Sequence, residues 1–193
     1  MYHFFVEPHQ IGAEEIRIEG ADVNHIRNVL RMKPGEEILI SSREGGDYFC
    51  RVEELEPEYV SAKILEEWEN KELPARIHLF QGLPKGDKME LIIQKAVELG
   101  AYRVVPVSMK RSVVKLDAKK ADAKRKRWNA VSESAAKQSK RSLIPEVAPL
   151  MTYKEAVKEA AGYDMVLLPY ESADGIRKTR ELLASVKPGT DIA

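Results

Sequence analysis

Ile77-His78-Leu79-Phe80-Gln81-Gly82-Leu83-Pro84-Lys85-Gly86-Asp87-Lys88 carries the chain from one periodicity into another. The first five residues read as a strand, and the Gly- and Pro-containing run after them breaks it. Residues 87–99 then take up helical spacing, with Met89, Ile92, Ile93, Ala96 and Leu99 on one apolar side and Gly100 where a C′ residue belongs. Residues 104–107, Val-Val-Pro-Val, form the next strand, and Asp117 opens a long helix reaching Lys140. Thr152-Tyr153-Lys154-Glu155 is a capping box, and Gly162 ends the helix it starts. Residues 165–168 read as a buried strand and residues 176–186 as a helix. Strands alternating with helices predict an α/β domain with a mostly parallel sheet covered by helices. Lys187-Pro188-Gly189-Thr190 is a turn, and Asp191-Ile192-Ala193 reads as the opening of another strand, so the chain is expected to be a fragment.

Upstream the pattern changes. Residues 37–41, 48–55 and 59–65 are rich in β formers, and Glu44-Gly45-Gly46-Asp47 is a turn signal, which predicts a small β domain. One short helix interrupts it: Asp22 is placed to cap it, Val23, Ile26 and Leu30 share a face, and Pro34-Gly35 ends the segment. His25, Arg27 and Arg31 then point elsewhere, toward solvent or a ligand. Residues 68–74, rich in Glu and Lys, read as a linker, dividing the chain into domains 1–72 and 73–193.

A hydrophobic fraction of 44% with 32% charged residues describes a globular protein. Cys50 is the single cysteine, which excludes an intramolecular disulfide framework and suits a reducing cytoplasm. No apolar run approaches the ~18–20 residues of a membrane span, and the first seven residues lack the basic start and apolar core of a signal peptide. His3, His9, His25 and His78 are scattered without ligand spacing, so no metal is expected. The charge is unevenly placed. Residues 103–141 carry thirteen Lys and Arg against three Asp and Glu, residues 1–102 twelve against twenty, and residues 142–193 six against eight. One segment has gathered the positive charge. That is the footprint of a phosphate-backbone partner, or of a solvated basic helix, and charge alone does not choose.

Two motifs bear on the choice. The loop from Gly82 to Lys88 lacks the Gly-Lys-Ser/Thr of a P-loop, so NTP hydrolysis is not expected. It still sets Lys85, Lys88 and free backbone N–H groups at a helix start, which suits an anion or, blandly, a tight turn with solvated lysines. On the long helix, Ala121, Trp128, Val131, Ala135 and Gln138 predict a buried stripe, with Trp128 in the core and Gln138 in either a structural or a functional network. Lys120, Arg127, Ser134 and Arg141 recur every seven residues on a neighbouring face, a row able to track phosphates.

The run Gln81-Gly82-Leu83-Pro84-Lys85 with Lys88-Met89-Glu90, followed by Gln94-Lys95-Ala96-Val97-Glu98-Leu99-Gly100, resembles the bacterial 16S ribosomal RNA uridine N3-methyltransferases, often called RsmE. The likeness continues through Arg111-Ser112-Val113-Val114, Arg127-Trp128, Ala135-Ala136 with Gln138-Ser139 and Arg141, and Pro145. Earlier, His25-Ile26-Arg27-Asn28-Val29-Leu30-Arg31 resembles the family's His-x-x-x-Val-Leu-Arg segment. The resemblance covers nearly the whole chain in order. It implies an N-terminal PUA-like β domain that helps hold RNA, and a SPOUT-type α/β methyltransferase domain tied in a C-terminal trefoil knot. It also implies S-adenosylmethionine as cofactor, a homodimer, and a product methylated at N3 of a uridine near the decoding centre of 16S rRNA. Three departures stand out. The family's Gly-Pro-Glu-Gly-Gly knot loop and its later Leu-Gly-x-Arg-Ile-Leu-Arg segment do not occur in these 193 residues, which by themselves are expected to be inactive. The family often has Arg where His3 stands, and an acidic residue where Ser134 stands.

N3 of uridine is a poor nucleophile while protonated, so the transfer needs a base to remove the proton or a cation to stabilise the enolate. The base is not identifiable. Arg111 and Arg141 are the candidates for gripping RNA or the enolate. Leu168, Pro169 and Glu171 resemble the family's first cofactor-facing loop, at the carboxyl end of a strand; Glu171 is alternatively a plain surface carboxylate. Arg27, Arg31, Lys85, Lys88, Arg111, Lys120, Arg127 and Arg141 are the expected RNA-binding set. The resemblance implies 16S rRNA as the partner, free or in the small ribosomal subunit. Two readings compete with the enzyme: a non-catalytic RNA-binding module, and a structural or dimerisation protein whose basic helix is merely solvated.

Overall fold

The structure is a computed structural model, and it describes every residue except 44, 113 and 170–176, together with the side chains at 177 and 178. The chain divides into two compact units, residues 1–72 with 136–144, and residues 73–135 with 145–193. Residues 136–144, read from sequence as part of the second domain, thus belong with the first unit.

Five strands make the first unit: β1 (Tyr2–Val6), β2 (Glu15–Glu19), β3 (Glu37–Ser42), β4 (Asp47–Leu55) and β5 (Tyr59–Glu67). They line up as β1-β3-β4-β5-β2, with β1 parallel to β3 and the other pairs antiparallel. In β2, Ile16 and Ile18 are buried between exposed Glu15, Arg17 and Glu19, the period-two signature of a half-buried strand. Phe4, Val6, Ile16, Ile18, Ile26, Ile38, Ile40, Cys50, Val52 and Val60 form one core on that face. The short helical segment differs from its reading. Gly20, with φ +75°, stands at the N-cap of α1 (Ala21–Asn24), so Asp22 lies inside the first turn. Its carboxylate instead accepts from Lys137 Nζ at 3.1 and 3.2 Å. The helix then widens into a π turn over His25–Val29, closed by Leu30 N–H on His25 C=O at 2.9 Å. Arg31 follows in the left-handed region at φ 53°.

On the opposite side of β1, His3 is buried in a polar chain. Ser41 Oγ donates to Asp47, so the hydroxyl accepts from His3 Nε2 at 2.8 Å. That fixes the neutral tautomer with a bare Nδ1, and Nδ1 indeed has no hydrogen-bond partner.

The second unit is the α/β layer. β6 (Arg76–Gly82), α2 (Lys88–Glu98), β7 (Arg103–Ser108), α3 (Ala118–Ser139), β8 (Glu146–Val147), β9 (Met151–Thr152), α4 (Tyr153–Ala160), α5 (Arg177–Ala184) and β10 (Asp191–Ile192) follow in order. The sheet runs β10-β6-β7-β8, β9 also pairs with β7, and every pair is parallel. Residues 104–107 are buried, as a strand covered on both faces requires. Gly100 closes α2 at φ +98°, and a Cβ there would stand 2.6 Å from Leu73 Cδ1. Leu99 is 79% exposed, because the helix ends at Glu98 and Leu99 leaves its face; Val97 takes the buried place. Asp117 caps α3 by accepting from the N–H of Lys120 at 2.8 Å. Trp128, Ser132 and Ala135 are buried on α3, whereas Gln138, in its last turn, is exposed. Thr152 and Glu155 complete the expected capping box. Residues 165–168 are not the buried strand expected. Only Met165–Leu167 reach β10 and Ala193, through Met165 N–H on Asp191 C=O and Leu167 N–H on Ala193 C=O, and Leu168 is 87% exposed.

Burial, reinforced by the charges of Lys137 and Lys140, lowers the His3 pKa from 6.5 to about 4. Between those values the unfolded chain binds a proton that the native state refuses. Stability should therefore fall as pH drops from 6.5 toward 4, by about 3 kcal/mol for this group. Urea midpoints measured against pH should show this slope, and His3→Gln should flatten it in that window.

Candidate nucleic-acid interface

Two loops leave the carboxyl ends of neighbouring parallel strands. The first follows β6 and holds Lys85 and Lys88; the second follows β7 and holds Lys110, Arg111 and Lys115. They stay together because Leu83 N–H donates to Val107 C=O at 3.0 Å and because Gly82 lies close to Met109, whose Cγ would be 3.1 Å from any Cβ at that position. Lys85, Lys88, Lys110, Arg111 and Lys115 are all exposed, and none has an ion-pair partner among the described residues. Carboxyl strand ends are where open α/β sheets gather ligands. Between the loops and α3 is a cavity of 240 Å³, lined by Leu83, Met89, Glu90, Val114, Lys124 and Trp128 among others.

The predicted cationic row along the long helix is broken at Arg141, and its exposed members Lys120 and Arg127 each carry a surface ion pair. Lys120 pairs with Asp117 at 3.3 Å, and Arg127 meets Glu90 through Nε at 2.8 Å and Nη2 at 2.9 Å. Arg141 is not on the helix: α3 ends at Ser139, and Lys140 turns the chain with φ 56°. Arg141 is 8% exposed, and its Nε donates to both carboxylate oxygens of Glu72 at 2.8 Å. The Ser142 N–H donates to the same carboxylate at 2.8 Å. A guanidinium held this way is a structural tie, so the sequence reading of Arg141 as an RNA or enolate grip is corrected. Of the first-unit candidates, Arg31 is exposed and Arg27 half-buried. Leu168 and Pro169 are exposed, and Glu171 lies outside the described residues.

Sequence reasoning missed Asn129. Its Oδ1 accepts from Val147 N–H at 3.0 Å and its Nδ2 donates to Val147 C=O at 3.1 Å, so one amide side chain continues the pairing of β8. Arg125 Nε donates to the same carbonyl at 3.1 Å and Nη2 meets Glu146 at 2.9 Å. An Asn on the polar side of a helix gives no hint of a strand eighteen residues away. Glu72 was equally hidden, because it sits in the Glu- and Lys-rich stretch read as a solvated linker.

Residues 71–192 match the RNA methyltransferase domain family, and residues 18–65 match the PUA domain of RNA methyltransferases. The chain belongs to the RNA methyltransferase family. A Bacillus subtilis relative, ribosomal RNA small subunit methyltransferase E, is 39% identical over 178 residues, covering 90% of this chain and 69% of its own length. A crystal structure of a hypothetical protein superposes with a TM-score of 0.89 at 37% identity, over 98% of this chain and 78% of that one. The Neisseria gonorrhoeae ribosomal RNA small subunit methyltransferase E, bound to S-adenosylmethionine, gives a TM-score of 0.76 at 28% identity over 100% of this chain and 78% of its own. The family accounts for the N-terminal β unit and the parallel α/β unit together. Among the described residues no His, Cys, Asp and Glu group is placed to hold a metal, and no helix is long and apolar enough to cross a membrane.

Removing the Glu72 carboxylate takes from a buried guanidinium the acceptor of its Nε hydrogen bonds. Glu72→Ala should cost about 3–5 kcal/mol in chemical denaturation, and pairing Glu72→Leu with Arg141→Met should recover most of it.

Proposed function

We propose that the protein methylates N3 of a uridine in 16S rRNA near the decoding centre, using S-adenosylmethionine, as a cytoplasmic homodimer. The observation that carries this reading is the pair of cationic loops at adjacent carboxyl strand ends, in a chain of the RNA methyltransferase family. Support for the cofactor comes from the neisserial relative, which is bound to S-adenosylmethionine. In this chain Leu168, 87% exposed, and Pro169 follow the segment that pairs with β10 and are apolar side chains of the kind an adenosyl group packs against. When bound, the cofactor supplies an activated sulfonium methyl, and no metal is needed.

The chain's own residues do the rest of the work. Lys85, Lys88, Lys110, Arg111 and Lys115 neutralise phosphates and so fix the register of the strand. Arg111, exposed and unpaired, is also free to turn toward the negative charge that develops on the uridine oxygens as N3 loses its proton. Arg27 and Arg31 extend the phosphate contacts in the β unit. Alignment of N3 with the methyl group then supplies much of the rate.

The product of the complete reading frame, incubated with labelled S-adenosylmethionine and small ribosomal subunits lacking the modification, should place label in N3-methyluridine on nuclease digestion. Label in another nucleoside would overturn the position, and no saturable cofactor binding would overturn the enzyme. For this 193-residue chain, RNA affinity should fall steeply with salt, and Arg111→Ala should lower the log–log slope by about 0.7–0.9.

A further inference from the structure

Beneath the cationic loops, the cavity between the first turn of α2 and α3 is too small for a drug-sized ligand. Its 240 Å³ falls under the ~300–1,000 Å³ of such sites and suits a single planar ring. Leu83, Met89, Val114 and Trp128 give it apolar and aromatic walls, and its charged residues are Glu90 and Lys124 with the exposed Asp87. We propose that this cavity receives the flipped-out base of the target nucleotide and that Glu90 selects uracil there. The inference rests on the RNA substrate proposed above.

Enzymes that modify a base take it out of the stack and read its Watson–Crick edge between apolar and aromatic side chains. The uracil edge presents an acceptor, the N3–H donor and a second acceptor. Glu90 accepts from N3–H, and Lys124 donates to a flanking carbonyl oxygen. Arg127, 2.8 Å and 2.9 Å from the two Glu90 oxygens, holds the carboxylate in place. Lys124 has no ion pair among the described residues, so its donors are open. Cytosine offers an N3 lone pair where uracil has its N–H, which sets two acceptors against each other. Glu90 is thus a specificity-determining residue, and Trp128, 4% exposed in the wall, reports on the occupant.

Trp68→Phe leaves Trp128 as the sole tryptophan. Short oligouridylate and oligocytidylate of equal length, titrated against that variant, separate base reading from phosphate binding. Oligouridylate should change the Trp128 emission saturably and bind at least about five-fold more tightly than oligocytidylate. Glu90→Gln should remove most of that preference. Lys124→Ala, at a half-exposed helix position where misfolding is not at issue, should also reduce it while keeping the melting temperature. Equal affinity for the two oligomers with RNA binding intact, or a preference untouched by both substitutions, would overturn the pocket and leave the proposed RNA substrate standing. Loss of all RNA binding in the unsubstituted protein would overturn both.

Discussion

Most of the half-buried and buried cations on and just after α3 are answered by carboxylates. Arg125 is met by Glu146 and the Val147 carbonyl, Arg127 by Glu90, and Lys137 by Asp22. Just beyond the helix, Arg141 is met by Glu72. These ties do not count equally. The exposed pairs are worth at most ~1 kcal/mol each. The Arg141–Glu72 pair is buried, and there desolvation offsets much of the attraction, so its use is to fix which arrangement forms more than to deepen the well. A chain whose acidic residues lie mostly outside the basic segment can fold with that segment ordered only by spending carboxylates on it.

That spending sorts the cations. Arg125, Arg127 and Lys137 on α3 are paired, whereas Lys124 on the same helix and the cations in the loops after β6 and β7 have no ion pair among the described residues. The parallel sheet makes the second group into one surface, because adjacent parallel strands deliver their following loops to the same edge. Gly82 permits the close approach, with Met109 Cγ standing where a Cβ contact would begin at 3.1 Å. Asn129 steadies the underlying frame by pairing as a strand would with Val147. The cationic edge is thus placed by topology, with lysines and arginines that have no ion pair among the described residues.

Much of this was legible in advance because it was local. The change from period two to helical spacing at Gly82, the capping box at Thr152 and the C′ glycine at position 100 all lie within a few residues of the elements they control. What escaped was set at long range or by one backbone angle. β1 pairs in parallel with β3, some thirty-six residues away, and no turn signal marks such a partner. The seven-residue cationic row assumed that the helix ran through Arg141, and the positive φ at Lys140 breaks it. Gln138 was read as buried by extending a stripe into the last turn, where Ala136 and Lys137 face the neighbours instead and Gln138 is exposed. Residues 165–168 were read as a core strand from their apolar run, yet Met165 and Leu167 are only half-buried and Val166 and Leu168 are exposed. The family resemblance reached the fold correctly but could not say which of its basic residues were already paired.

Glu90 shows how much that distinction matters. A carboxylate within a Debye length of ~8–10 Å of phosphate-binding lysines lowers the affinity of a polyanion, so it needs a reason to be there. Its pair with Arg127 is too exposed, at 62% on the arginine side, to be that reason through stability. A carboxylate does, however, complement the one strong donor on the edge of a neutral uracil. A site that must both hold a backbone and recognise a base needs cations outside for the phosphates and an acceptor inside for the ring. The loops that hold Lys85, Lys88 and Arg111 also give Leu83, Pro84 and Val114 to the wall of the cavity that Glu90 lines, which is the order of charges the proposed base pocket requires.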